Sequence, residues 1–290
     1  MNPCLAHRLG RALSLGLLLG ALFVTTASVR AAHLKLFILT GQSNSLGTTD
    51  GDGAEPSPGA DPADAAVRFY WHNLASVAKS LGDSGGTFTT LREQQGGFYK
   101  GSATHWGPEF GFACRLHRAG VRDFGLIKAS RGGGGNSFWA KTAADNHMYD
   151  HVVKTVTAAA ADLTRQGHTF EIVGLLYLQG ESDAPAEAAI ADTRIKELAD
   201  HLRRDLPNAQ ALHTVIAGIA ASGATRDTVR AKHAAVAAGA GQFSFFSTTD
   251  LRDQMPDRLH FNKPAKLAIG ERFAEAWLRT TKPPQPKEAK

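Results

Sequence analysis

The apolar positions of this chain follow two rhythms that alternate along its length. Short, nearly continuous apolar runs at residues 34–40, 67–71, 124–129, 172–178, 211–219 and 243–247 have the character of strands, and the run from Ile172 fits one covered on both faces. Between them, residues 108–118, 148–166, 185–205, 225–238 and 264–279 carry helical spacing or high alanine content. Such alternation predicts an α/β domain, a mostly parallel central sheet with helices on both faces. Two stretches break the rhythm. Residues 48–66 are rich in Gly, Pro and Asp, and residues 73–106 are long and dotted with glycine. Both read as loops at the rim of a site beside the first strand.

The amino end follows neither rhythm. Arg8 and Arg11 precede an apolar run over 13–24, and Val29-Arg30-Ala31 offers a small-residue cleavage site. Residues 1–31 therefore read as a signal peptide, and the protein as secreted or periplasmic. A spanning helix needs about twenty apolar residues, so no stable membrane anchor is expected from a run this short. One domain is expected over 32–280, followed by a disordered tail over 281–290, rich in proline and charge.

Composition changes this picture little. The formal charge of +5 falls to about +2 once Arg8, Arg11 and Arg30 leave with the leader, and the remaining basic residues are dispersed, so nucleic acid is not an expected partner. Cys4 also leaves, and Cys114 alone cannot form an internal disulfide. Lying between Phe112 and Leu116, Cys114 reads as a buried filler.

Ligands of open parallel sheets collect at the carboxyl ends of the strands. After the first strand comes Gly41-Gln42-Ser43-Asn44, where Ser43 is either a nucleophile or a helix cap; the pentad lacks the second glycine of a G-x-S-x-G elbow. After the third comes Ser130-Arg131 and four glycines, 132–135, suited to an oxyanion hole or to a plain flexible loop. The next strand ends in Gln179-Gly180-Glu181-Ser182-Asp183: Gln179 can donate to an oxyanion, Glu181 can partner a base, and Glu181 and Asp183 can equally cap a helix. Before the last helix stands Asp257-Arg258-Leu259-His260, a spacing that lets a carboxylate orient an imidazole. His147 and His151 have i, i+4 spacing without a third ligand, so no metal site is expected.

Taken in order, FILTGQSNSLG from Phe37, GPEFGFA from Gly107, IKASRGG from Ile127, LYLQGESDA from Leu176 and DRLHFN from Asp257 resemble the SGNH hydrolases. The closer likeness is to the branch holding sialate O-acetylesterase-like domains and family 6 acetylxylan esterases. The resemblance implies a flavodoxin-like three-layer α/β/α sandwich and cofactor-free, metal-free hydrolysis of O-acetyl esters on carbohydrate. By matching position it makes Ser43 the nucleophile, His260 the base and Asp257 its partner, with Glu181 supplementing or replacing Asp257. It places Ser43, Gly132 or Gly133, and Gln179 around the oxyanion, and Gln42 and Asn44 among the substrate-binding residues. Tyr177 stands where the family often has Trp, and Ser45 where it often has Met, near the expected pocket. Three other readings stay open: a lipase-like or aryl esterase, an acetyltransferase, and a non-catalytic carbohydrate binder using Trp71, Trp106, Trp139 and Phe98.

Overall fold

In this computed structural model, which describes residues 31–48, 66–76, 79–96, 103–143, 148–239 and 241–281, the first two apolar runs form β1 (His33–Gly41) and β2 (Arg68–Ser76). A short helix, α1 (Ser43–Leu46), follows β1 directly. Residues 73–106, expected as a loop, are largely an antiparallel excursion. β3 (Lys79–Asp83) and β4 (Thr89–Thr90) pair with β2, and β5 (Gln94–Gln95) pairs with β6 (Thr104–His105). These strands are short and polar, so they lack the apolar alternation that would announce them.

The remainder alternates as the pattern requires: α2 (Glu109–Arg118), β7 (Phe124–Ser130), α3 (Met148–Arg165), β8 (Thr169–Leu178), α4 (Pro185–Ala188), α5 (Ala191–Asp205), β9 (His213–Ala217), α6 (Ala224–Gly239), β10 (Phe243–Phe246) and α7 (Lys263–Thr281). The helix expected over 185–205 is two helices, because the Glu187 carboxylate folds back to accept from the Ala184 amide and ties α4 off as one turn. The last helix continues through Thr280 and Thr281, past the expected start of the tail. The expected leader, the rest of the tail and residues 49–65 lie outside the described residues. Among those described, no helix is long and apolar enough to cross a membrane.

The sheet order is β10-β9-β8-β1-β7-β2-β3, with β10 through β2 all parallel. The third parallel strand, β7, thus lies between the first and second, unlike the 2-1-3-4-5 order of flavodoxin itself, while the three-layer architecture is the expected one. Strand period sorts side chains into two cores. Phe37, Leu39, Phe69 and Leu126 pack with Phe112 of α2 and Ile269, Phe273 and Trp277 of α7. Leu36, Ile38, Ile127 and Leu175 pack on the other face with Val152 and Val156 of α3 and Ile195 and Leu198 of α5. The chain turns from one half of the sheet to the other between β1 and β8. The carboxyl ends of β7, β1 and β8 therefore lie side by side at the crevice where open sheets bind ligands.

Candidate active site

Gly41 ends β1 at φ +146°, and a Cβ there would lie 1.9 Å from the Leu178 carbonyl oxygen of β8, so only glycine lets the chain leave the strand here. The chain then enters α1 with Ser43 as its first residue. The Ser43 hydroxyl lies 2.9 Å from Nε2 of His260, which is 217 residues away along the chain. His260 Nδ1 lies 2.6 Å from Oδ2 of Asp257, whose Oδ1 accepts from the backbone amides of Leu259 and His260 at 2.9 and 2.6 Å. Partial burial opposes ionisation of Asp257, but the hydrogen bonds from His260 and Leu259 outweigh it and hold the carboxyl below its ordinary range. An ionised carboxylate only accepts, so the imidazole proton belongs on Nδ1, and Nε2 is left to accept the serine proton.

Asn44 is not turned to the crevice. Its Nδ2 donates to Glu181 Oε1 at 2.6 Å and to the Leu259 carbonyl at 3.0 Å, and its Oδ1 accepts from the Phe261 amide at 3.2 Å. Both chain neighbours of His260 are thereby tied to the residue after Ser43. Glu181 acts on His260 through this clamp and its charge, while the direct hydrogen bond to the ring comes from Asp257. Burial raises the Glu181 pKa, the Asn44 bond partly offsets it, and Oε2 is buried without a partner. Gln42 is likewise structural: its Oε1 accepts from the amides of Gly180 and Ser182, and its Nε2 donates to the Ser182 hydroxyl, which joins the ends of β1 and β8.

The expected oxyanion donors separate in the structure. The Gly132 amide donates to the Leu74 carbonyl at 3.1 Å. The Gln179 amide is also engaged, with Nε2 donating to Asp183 Oδ1 at 2.5 Å and to the Gly134 carbonyl at 3.3 Å, and Oε1 accepting from the Tyr177 hydroxyl. Backbone amides of Ser43 and Gly133 make no hydrogen bond among the described residues. Both N–H groups are left to donate to a ligand.

Asp183 was legible only as an alternative cap, yet it organises this side of the crevice. It accepts from Gln179 and from both the backbone and side-chain amides of Asn136, the residue that closes the glycine run. Burial raises its pKa to about 6 against the pull of these donors. Lys128, unremarked in the sequence, is wholly buried in β7 and donates to both carboxylate oxygens of Glu109 in α2, to Gln94 Oε1 and to the Leu46 carbonyl that ends α1.

Several expectations are corrected by burial. Ser45 donates to the Gln42 carbonyl and the Ser130 hydroxyl, and Tyr177 packs edge-on against Trp139, so both are buried core positions. Trp71, Trp106 and Trp139 are all buried, Trp71 stacked on Phe69 and Trp139 bonded to Thr40, so none is a sugar platform; Phe98 lies outside the described residues. Cys114 is half-buried rather than buried, and its sulfur accepts from Arg118. His151 Nε2 donates to the His72 carbonyl at 2.7 Å, His147 is outside the described residues, and no group of three or more His, Cys, Asp or Glu is placed to hold an ion among those described.

Known proteins share this fold. A structure of a protein from Arabidopsis thaliana, AT4G34215, superposes with a TM-score of 0.64 at 21% identity, covering 84% of this chain and 98% of that one. NanS superposes at 0.55 with 15% identity, covering 85% and 97%. XAC1771, described as a novel carbohydrate acetylesterase from Xanthomonas citri, superposes at 0.54 with 14% identity, covering 83% of this chain and 55% of that one. No curated protein matches the sequence. At these identities the likenesses establish the fold, while the sequence itself matches the family described as carbohydrate esterase, sialic acid-specific acetylesterase, over residues 33–279. The chain belongs to that family and is a carbohydrate O-acetylesterase.

Proposed function

We propose that the chain removes acetyl groups from carbohydrate through an acetyl-serine intermediate on Ser43. The observation that carries this reading is the continuous line of hydrogen bonds from Asp257 through His260 to the Ser43 hydroxyl. As Oγ bonds to the acetyl carbon, its proton passes to Nε2. Negative charge gathering on the carbonyl oxygen is met by the amides of Ser43 and Gly133, whose free N–H groups support the assignment. When the carbon–oxygen bond to the sugar breaks, His260 returns the proton to the departing hydroxyl. Water, deprotonated by the same nitrogen, then releases acetate and restores the serine. No step in this sequence calls for a metal or cofactor.

Among acetylated glycans the family description favours sialate, and we propose that class ahead of acetylxylan. The apolar run behind Arg8 and Arg11 further supports export with cleavage near Ala31. The nucleophile is tested by acetate release from an aryl acetate and from acetylated glycans. Ser43→Ala should lose on the order of 10⁴-fold or more in turnover while unfolding at the wild-type temperature. A serine-directed organophosphorus reagent should label the wild type at Ser43. A folded Ser43→Ala protein with wild-type turnover would remove the nucleophile from this reading.

A further inference from the structure

Beside the turn that carries His260, three guanidinium groups gather with donors to spare. A cavity of about 400 Å³ is lined by Ser222, Arg226, Arg252, Asp253, Met255 and Arg258. A second, of about 310 Å³, shares Ser222 and Arg226 with it and reaches Glu181 and Asp183. Volumes of this order hold a single sugar ring.

The three arginines keep donors in reserve. Arg226 gives Nε to the Glu181 carbonyl and Nη1 to the Ser222 carbonyl. Arg252 gives only Nε, to the Ala220 carbonyl. The Arg258 side chain makes no hydrogen bond among the described residues, and its backbone sits at φ +62°, a left-handed conformation uncommon outside glycine. Of the nearby carboxylates, Asp227 is paired with Arg230 and Asp257 with His260; Asp183 accepts from Gln179 and Asn136, Glu181 accepts from Asn44 on one oxygen, and Asp253 stands in the wall of the first cavity. Burial, and after it the charges of Arg252 and Arg226, push the Arg230 pKa down, so these cations lie close enough to repel. Like charge focused in a cleft is relieved by a bound anion, and guanidinium forks match a carboxylate in shape as well as sign.

The cluster is bonded to the relay. Arg258 lies within the turn between Asp257 and His260, and Arg226 holds the backbone of Glu181, whose carboxylate orients Asn44 next to Ser43. We propose that Arg226, Arg252 and Arg258 form a subsite for a carboxylate carried by the glycan whose acetyl group passes to Ser43. This deepens the esterase reading above and rests on it. The subsite selects acidic sugars over neutral ones by holding their carboxylate beside the reacting ester.

The test measures binding to the Ser43→Ala protein by calorimetry, with N-acetylneuraminic acid and D-glucuronic acid, each against its own methyl ester. At least one acid should bind at least about tenfold more tightly than its ester, and which acid does so identifies the sugar. An added Arg252→Gln/Arg258→Gln pair should abolish that preference. An Arg252→Lys/Arg258→Lys pair, which keeps the charge without the fork, should retain part of it, with equal melting temperatures showing that all the proteins are folded. Equal binding of acid and ester, no binding of either acid, or a preference unchanged in the glutamine pair would overturn the subsite. Aryl acetate hydrolysis by the wild type reads the relay separately: its absence would sink the esterase mechanism, and its presence with indifferent binding would sink only the subsite.

Discussion

Two buried charged constellations border the carboxyl edge of this sheet, and they differ in what their hydrogen bonds leave over. At Lys128 nothing is left: the ammonium meets both Glu109 oxygens, Gln94 and the Leu46 carbonyl at 2.8–2.9 Å, with the Lys128 and Glu109 side chains fully buried. Desolvation lowers the Lys128 pKa, and the Glu109 charge pulls it back. At Ser43, His260 and Asp257 the bonds form an open series that ends in a hydroxyl proton able to move, and the amides of Ser43 and Gly133 have no partner among the described residues. The first group joins β7 to α1, α2 and the polar excursion, and holds them. The second is the group proposed to react. A buried charge is therefore a poor marker of chemistry by itself, and an unfilled hydrogen-bonding capacity next to it is a better one.

The comparison is broken most sharply at Asp257. Asp257→Asn keeps the shape of the turn but removes the group that fixes the proton on Nδ1, so turnover should fall on the order of 10⁴-fold with little change in melting temperature. Glu181→Gln should cost less, because its carboxylate reaches the ring only through Asn44 and long-range charge. Steady-state kinetics on an aryl acetate decides between them. A loss at Asp257 below about tenfold would mean that Glu181 suffices as the partner of His260, and the series drawn here would be the wrong one.

Lys128 should give the reverse result. Lys128→Met strands the Glu109 carboxylate in the core, a loss of about 3–5 kcal/mol of stability, whereas pairing it with Glu109→Leu should recover much of that. Urea midpoints measure both, and turnover per folded molecule should fall far less than for Asp257→Asn. If the single variant unfolds at the wild-type midpoint, the pair is not the fastening the hydrogen bonds describe.

This contrast also separates what the sequence could disclose from what it could not. Six strands were legible because each is a nearly unbroken apolar run, and Asp257 with His260 because a carboxylate three residues ahead of a histidine is a local arrangement. Lys128 was not, since a single lysine in an apolar strand announces no partner until the fold brings Glu109 and Gln94 to it. Gln179 was assigned to the oxyanion by position alone. The choice between facing the substrate and facing Asp183 is made by a side chain four residues on and by Asn136 on a neighbouring loop, and neither leaves a periodic trace. The strands of the excursion were hidden for a similar reason: they are polar and only two to five residues long.

Asp183 lies between the two constellations, fully hydrogen-bonded like Lys128 yet titratable near neutrality like a catalytic group. Its pKa rises from 3.8 to about 6, first through burial. Between those values the folded protein binds a proton that the unfolded chain does not. The stabilisation from Asp183 is therefore complete below about pH 3.8 and is lost as pH rises through about 6, a swing on the order of 2–3 kcal/mol. Asp183→Asn has no proton to exchange, so relative to wild type it should gain about that much stability between pH 4 and pH 7, read from urea midpoints across the range. Parallel pH profiles for the two proteins would mean that Asp183 is ionised throughout and belongs with the inert pair. A difference that opens above pH 4 and levels off above about pH 6 would place it with the groups whose protonation the crevice can feel, since its carboxylate sets both Gln179 and the Asn136 end of the glycine loop.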